Sequence, residues 1–182
     1  MSGLLGCKVG MTQVFDANGQ VIGVTVLQAG PCQVTQVKSE ETDGYNAIQM
    51  LFGKKKREVR VDKADEYKVG QEIKADIFKP GDSVKITGRA IGKGFQGTIK
   101  RYHTHRGPMS HGSKSHRLVG SASSGTTPGR VRPGRKMPGR MGDGNISAKN
   151  VVIVQVDAEK NIILLKGSVP GKKGNLILIR KV

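Results

Sequence analysis

Short runs of apolar residues, of strand length, are separated along the chain by turn-forming ones. Residues 11–15 and 20–28 flank Asp16-Ala17-Asn18-Gly19, and Asn-Gly between apolar runs is a strong hairpin signal. Residues 32–38 and 45–52 form a second strand pair around Glu40-Glu41-Thr42-Asp43-Gly44. Shorter β-like pieces follow at 58–61, 72–78 and 83–87, the last entered through Lys79-Pro80-Gly81-Asp82, a turn sequence by composition. Residues 150–156, 161–166 and 175–181 read as three more strands. In the first of these Val151 and Ile153 are apolar as well as Val152, Val154 and Val156, which predicts strands covered on both faces. No stretch carries a convincing helical period, and there is no internal repeat. Many short strands in one small domain predict a mainly β fold, an antiparallel barrel or sandwich.

Composition divides the chain in two. Residues 83–142 contain no Asp or Glu, yet hold 13 of the 31 basic residues, all four histidines, 12 of the 26 glycines and four of the seven prolines. Only 8 of the 45 Val, Ile, Leu and Phe residues fall there. By composition the rest can build a core and much of this stretch cannot. Because strands flank it on both sides, it is an insertion: residues 1–82 and 143–182 make a discontinuous body, and 83–142 a basic extension. Sixty residues going out and back reach at most about 100 Å, at roughly 3.3 Å per residue.

The formal charge of +17 calls for a polyanionic partner. A membrane surface would want a basic amphipathic helix with Trp, Phe and Leu on one face; there is no Trp and no such helix, nor a run long enough to span a bilayer. The N-terminus lacks a signal-peptide or transit pattern. Cys7 and Cys32 lack CxxC spacing; a lone disulfide fits their number, but two buried thiols in a reducing compartment fit their strand-like settings better.

Within the insertion, Gly92-Lys93-Gly94-Phe95-Gln96-Gly97 matches G-x-G-x-x-G, but no amphipathic helix and no acid about 20 residues on follow it, as a dinucleotide site requires. Gly94 stands where a phosphate loop of the Walker type needs Ser or Thr. What remains is flexible backbone rich in N–H groups, flanked by Arg89, Lys93, Lys100 and Arg101, suited to lying against phosphates, or an ordinary glycine turn. His103, His105, His111 and His116 have no nearby cysteine and no carboxylate, so a metal site is disfavoured; such histidines suit phosphates, 2′-hydroxyls and base stacking. Serines are plentiful, but no acid orients a Ser-His pair, which speaks against an enzyme. Pro-Gly recurs at 128, 133 and 138, each closely followed by a basic residue. The stretch holds eight Arg to five Lys, against three to fifteen elsewhere. Arginine's planar fork binds phosphate bidentately and stacks on bases, so the segment reads as disordered alone and ordered on RNA. Lys54-Lys55-Lys56-Arg57 is followed at once by acids and reads as a solvated loop or a peripheral phosphate contact.

Leu4-Leu5-Gly6-Cys7-Lys8-Val9-Gly10-Met11-Thr12-Gln13-Val14-Phe15 resembles the opening of the universal large-subunit ribosomal protein three family, bacterial type. So do the Gly92–Gly97 run with Lys100-Arg101, Gly107-Pro108-Met109-Ser110-His111-Gly112-Ser113 with His116-Arg117, Lys136-Met137-Pro138-Gly139-Arg140-Met141-Gly142, and the stretch from Val156 to Gly171. The resemblance covers nearly the whole chain. It implies a β-barrel of the translation-protein type and a long loop running along 23S rRNA toward the peptidyl transferase centre. It also implies primary binding near the 3′ end of that RNA, an early part in subunit assembly, and neighbouring large-subunit proteins as partners. No cofactor, metal, small-molecule substrate, membrane or homo-oligomer is implied, and the location is the ribosome in the cytoplasm, bacterial or of an organelle of bacterial descent. The RNA-binding residues implied by charge and resemblance together are Arg89, Lys93, Phe95, Gln96, Lys100, Arg101, His103, Arg106, His111, Ser113, Lys114, His116, Arg117, Arg130, Arg132, Arg135, Lys136, Met137, Arg140 and Met141. The chain departs from the family at Arg140, where some members carry a methylated glutamine. It departs again between Phe52 and Asp62, where a longer, helix-containing insert is usual. Two rival readings are a free basic RNA chaperone or assembly factor that binds and leaves, and an enzyme acting on RNA, which would need a carboxylate or metal site in the body.

Overall fold

The computed structural model describes residues 3–182. Contacts divide the chain into two units, one made of the chain up to Ile91 and from Gly144 onward, the other of Gly92–Asp143.

In the first unit six strands pair in a cycle: β1 (Gly3–Phe15), β2 (Val21–Ala29), β7 (Ser83–Arg89), β10 (Asn145–Asp157), β11 (Ile162–Lys166) and β12 (Leu176–Lys181). Their order, β1-β12-β7-β10-β11-β2, closes on itself as a barrel, and every pairing is antiparallel. The β1–β2 hairpin has the register its sequence asks for: Phe15 pairs with Val21. Across its turn the Gly19 N–H donates to the Asp16 carbonyl at 2.9 Å, with Gly19 at φ +75°, the left-handed conformation glycine adopts without cost.

A second antiparallel sheet has the order β5-β4-β3-β6: β3 (Cys32–Lys38), β4 (Ala47–Phe52), β5 (Lys55–Arg60) and β6 (Glu72–Ile73). One core serves both sheets. Leu4, Leu5, Ile86, Ile163, Leu165, Ile177 and Ile179 from the barrel are buried in one cluster with Ile48, Met50, Val59 and Phe78. Along β11 and β12 the alternate residues 163, 165, 177 and 179 are buried while 162, 164, 176 and 178 are half-buried, the period expected of strands with one face on a core.

Three expectations about the strands change. Residues 150–156 are not covered on both faces: only Ile153 is buried, and Val152 is 40% exposed, because this strand lies in the barrel wall. Residues 72–78 are not a strand throughout, since β6 stops at Ile73 and a 3₁₀ turn occupies Ala75–Ile77. Lys54–Arg57 is not a loop but a turn and the start of β5. The described residues hold three single helical turns, the 3₁₀ turn, α1 (Glu40–Asp43) and α2 (Thr98–Tyr102), each too short to carry a helical period, so that expectation stands. Both cysteines are free; Cys32 is buried but Cys7 only half-buried. The Cys32 thiol is directed at the Leu5 carbonyl at 3.4 Å, and desolvation pushes its pKa up to about 11.

The second unit contains only β8 (Gly94–Gln96), β9 (Gly139–Met141) and α2 as regular elements. Composition and packing divide the chain at different places: acids vanish from Ser83, but Ser83–Arg89 is a barrel strand, and the second unit starts at Gly92.

Candidate nucleic-acid interface

The unit Gly92–Asp143 carries eleven Lys and Arg residues against one acid, Asp143, a charge of +10 on 52 residues. Thr98, 5% exposed, is its one buried residue. Leu118 is 75% exposed, Phe95 76% and Met109 57%. With no apolar side chain buried, nothing here supplies the term that normally outweighs chain entropy.

Polar contacts therefore shape the unit, and they run mostly to backbone carbonyls. At its base the two passing chains pair antiparallel, Phe95 opposite Arg140 and Gly94 opposite Met141. The Lys93 N–H extends this ladder to the Met141 carbonyl at 2.9 Å, and the Gln96 amide turns back to the Lys93 carbonyl. Beyond the ladder Arg101 crosses between the chains, its Nη1 donating to the Met137 carbonyl at 2.9 Å. Gly139 leaves room for it, since a Cβ there would lie 2.5 Å from that nitrogen. The Arg101 guanidinium lies 5.0 Å from the Tyr102 ring centre and the Lys136 ammonium 5.8 Å, a cation–π arrangement. The Arg140 guanidinium is paired with the Asp143 carboxylate.

The middle of the unit closes on itself. The Gly107 N–H donates to the His116 carbonyl at 2.9 Å, and the His116 Nδ1 lies 2.9 Å from the Pro108 carbonyl. Gly107 is obligatory here, because a Cβ would collide with the Ser115 carbonyl. His111 and Gly112, both at positive φ (58° and 74°), turn the tip. Farther along the chain, Arg135 donates to the Ser121 carbonyl at 2.7 Å and the Ser123 hydroxyl to the Arg130 carbonyl at 3.0 Å.

The expected RNA-binding residues thus fall into groups. Arg101 and Lys136 lie over the Tyr102 ring, and the Met137 carbonyl accepts from Arg101; Phe95 and Arg140 face each other across the ladder, as do Gly94 and Met141. His116 closes the loop at residues 107–116, while Arg135 braces the one at residues 121–135. Lys93, Lys100, His103, Arg106, His111, Lys114, Arg117, Arg130 and Arg132 present exposed side chains, and Ser113 is half-exposed. Arg89 belongs to the barrel, opposite Asn145. Among the described residues no three His, Cys, Asp or Glu side chains are grouped as metal ligands would be. Sequence reading missed Tyr102 and Asp143. Tyr102 was signalled by its place beside Lys100-Arg101, as one of two aromatic residues in the unit. Asp143 was signalled as the acid that ends the acid-free run.

What this arrangement can do is bind polyanions. Arg101 and Arg135 are oriented by contacts to backbone carbonyls, most of the other cations are exposed, and exposed Phe95 and half-exposed Tyr102 offer ring faces on which bases can stack. Among the described residues no helix is long and apolar enough to cross a membrane.

Comparison with known proteins agrees with this chemistry. The family model for ribosomal protein L3 matches residues 17–160. A large ribosomal subunit protein uL3 from Trichormus variabilis is 48% identical over 200 aligned positions, covering 97% of this chain and 95% of the relative. The protein of the same name from Nostoc punctiforme is 49% identical with the same coverage, and that from Trichodesmium erythraeum is 46% identical over 215 positions. These alignments are longer than the 182-residue chain, so each relative carries segments with no counterpart here.

Proposed function

This chain belongs to the ribosomal protein L3 family, and we propose that it is a structural, RNA-binding constituent of the large ribosomal subunit. In this reading the barrel seats on 23S rRNA near its 3′ end beside neighbouring large-subunit proteins. The unit Gly92–Asp143 threads into folded RNA toward the peptidyl transferase centre, and early binding helps nucleate subunit assembly. The residues named above neutralise phosphates and stack on bases; no bond is made or broken by the protein. The observation that carries this reading is a +10 unit with a single buried side chain. Charge of that density repels itself, and chain without a core gains its order from a partner.

The test replaces residues 130–138 with a short Gly-Ser turn, which removes Arg130, Arg132, Arg135 and Lys136 and leaves β9 in place. The expected result is a barrel of unchanged stability. The slope of log affinity for 23S rRNA against log salt falls by about 3, at roughly 0.7–0.9 for each phosphate no longer neutralised. A shortened protein with an unchanged slope contradicts the reading, and one that no longer folds contradicts the division into body and extension.

A further inference from the structure

A cluster of cations outside the proposed RNA-binding unit lies at one edge of the second sheet. β4 and β5 are joined through Gly53-Lys54, two residues between the paired Phe52 and Lys55. Gly53 has φ +58°, and glycine at the first central position suits a tight two-residue hairpin. Lys55, Lys56 and Arg57 then run in register with Phe52, Leu51 and Met50. Four consecutive cations are thus held on one hairpin, Lys54 in its turn, Lys55 and Arg57 to one face of the strand and Lys56 to the other. All four are exposed, and none forms an ion pair among the described residues.

The acid of this hairpin is already engaged. Glu58 accepts the Tyr45 hydroxyl at 2.7 Å and pairs with Lys38 at 3.2 Å. That hydroxyl, and then Lys38, holds its carboxyl below the ordinary range. Lys38 and Arg60 lie 5.1 and 5.4 Å from the centre of the Tyr45 ring, so both belong to this network. Lys54, Lys55, Lys56 and Arg57 are left with no counter-charge. One or two lysines are enough to keep an edge strand from pairing with another chain; four adjacent, un-neutralised cations on a fixed hairpin exceed that need and match a phosphate backbone.

We propose that the β4–β5 hairpin is a second RNA-binding element, in which Lys54, Lys55, Lys56 and Arg57 grip rRNA phosphates in addition to the contacts of Gly92–Asp143. The inference rests on the rRNA-binding reading above, and one titration series separates the two. Full-length protein, the variant shortened at 130–138, and a variant with Lys54, Lys55, Lys56 and Arg57 all changed to Gln are titrated with protein-free 23S rRNA at several salt concentrations. The expected result is a salt slope lower by about 3 in the Gln variant, at roughly 0.7–0.9 per phosphate, with thermal unfolding unchanged. Lys54→Glu, in the turn and outside the ladder, keeps the test if the Gln variant aggregates: it lowers the slope by about 1. A wild-type protein with no salt-dependent binding removes both readings. If the shortened variant loses slope while the hairpin variants keep the wild-type value, only this inference is overturned. The same holds if they lose binding to phosphatidylserine vesicles and not to RNA.

Discussion

Ile163 in the barrel and Leu118 in the extension are isomeric side chains with opposite fates: the first is 0% exposed, the second 75%. Around Ile163 the chain satisfies its backbone in sheet ladders and fills the space between sheets with Leu, Ile and Val. Around Leu118 it satisfies carbonyls with arginine and serine side chains and buries almost nothing. One chain therefore holds two kinds of order. The barrel's comes from apolar surface removed from water, and by our proposal the extension's is completed by RNA. Arginine has a different task in each account: an arm that braces a loop through one donor still offers its remaining N–H groups to a phosphate.

The sharpest way to break this comparison is to make equivalent lesions in both regions. Ile86→Ala empties a fully buried site and should lower stability by about 2–5 kcal/mol, whereas Leu118→Ala should stay within about 0.5 kcal/mol; urea unfolding of each checks both. Glycines give a second pair. A Cβ on Gly6 would lie 2.6 Å from the Gln28 carbonyl, and one on Gly107 would strike the Ser115 carbonyl. Gly6→Ala should cost about 1–3 kcal/mol of barrel stability, while Gly107→Ala should leave the melting temperature alone and weaken binding to 23S rRNA. Equal thermal effects from the two would show that the extension folds with the barrel.

Smaller effects sharpen the picture of the body. Thr25 is fully buried and donates to the Gly167 carbonyl at 2.6 Å; Thr25→Val strands that acceptor and should cost about 1–3 kcal/mol, read by thermal unfolding. Glu58 is the body's pH-sensitive group in the hairpin network. Its folded pKa lies below the ordinary 4.5, so its contribution is full above that value and is lost as pH falls through the folded one. Glu58→Gln should therefore lower the melting temperature near pH 7 and converge on wild type as pH falls through the lowered folded value.

Much of the body was legible because its signals are local. Asn18-Gly19 marks its own hairpin, and the apolar runs at residues 162–165 and 176–179 mark strands, though not which face of each is buried. What escaped depends on distant partners. The first half of β1 has glycines at 3, 6 and 10, and the sequence places the strand's start only at residue 11. Gly6 is glycine because the β2 backbone passes close by. β9 is three residues whose partner lies some 45 positions earlier, so no periodicity announces it. In the extension the sequence showed that charge gathers but not which cations are already engaged. That Arg101 reaches the Met137 carbonyl, Arg135 the Ser121 carbonyl and Arg140 the Asp143 carboxylate follows from the folded path of the chain. In the hairpin the cations could be read, but the engagement of Glu58 by Tyr45 and Lys38 needed the sheet register.

Amide hydrogen exchange, on the free protein and on its complex with 23S rRNA, meets the account most directly. Amides of β1, β2, β7, β11 and β12 should be protected in both states. Those of residues 97–138 should exchange in the free protein nearly as fast as unfolded chain and slow by orders of magnitude on RNA, since local stability tracks buried apolar contact. Protection of 97–138 in the free protein equal to that of the barrel strands, or no change there when RNA is added, would contradict it.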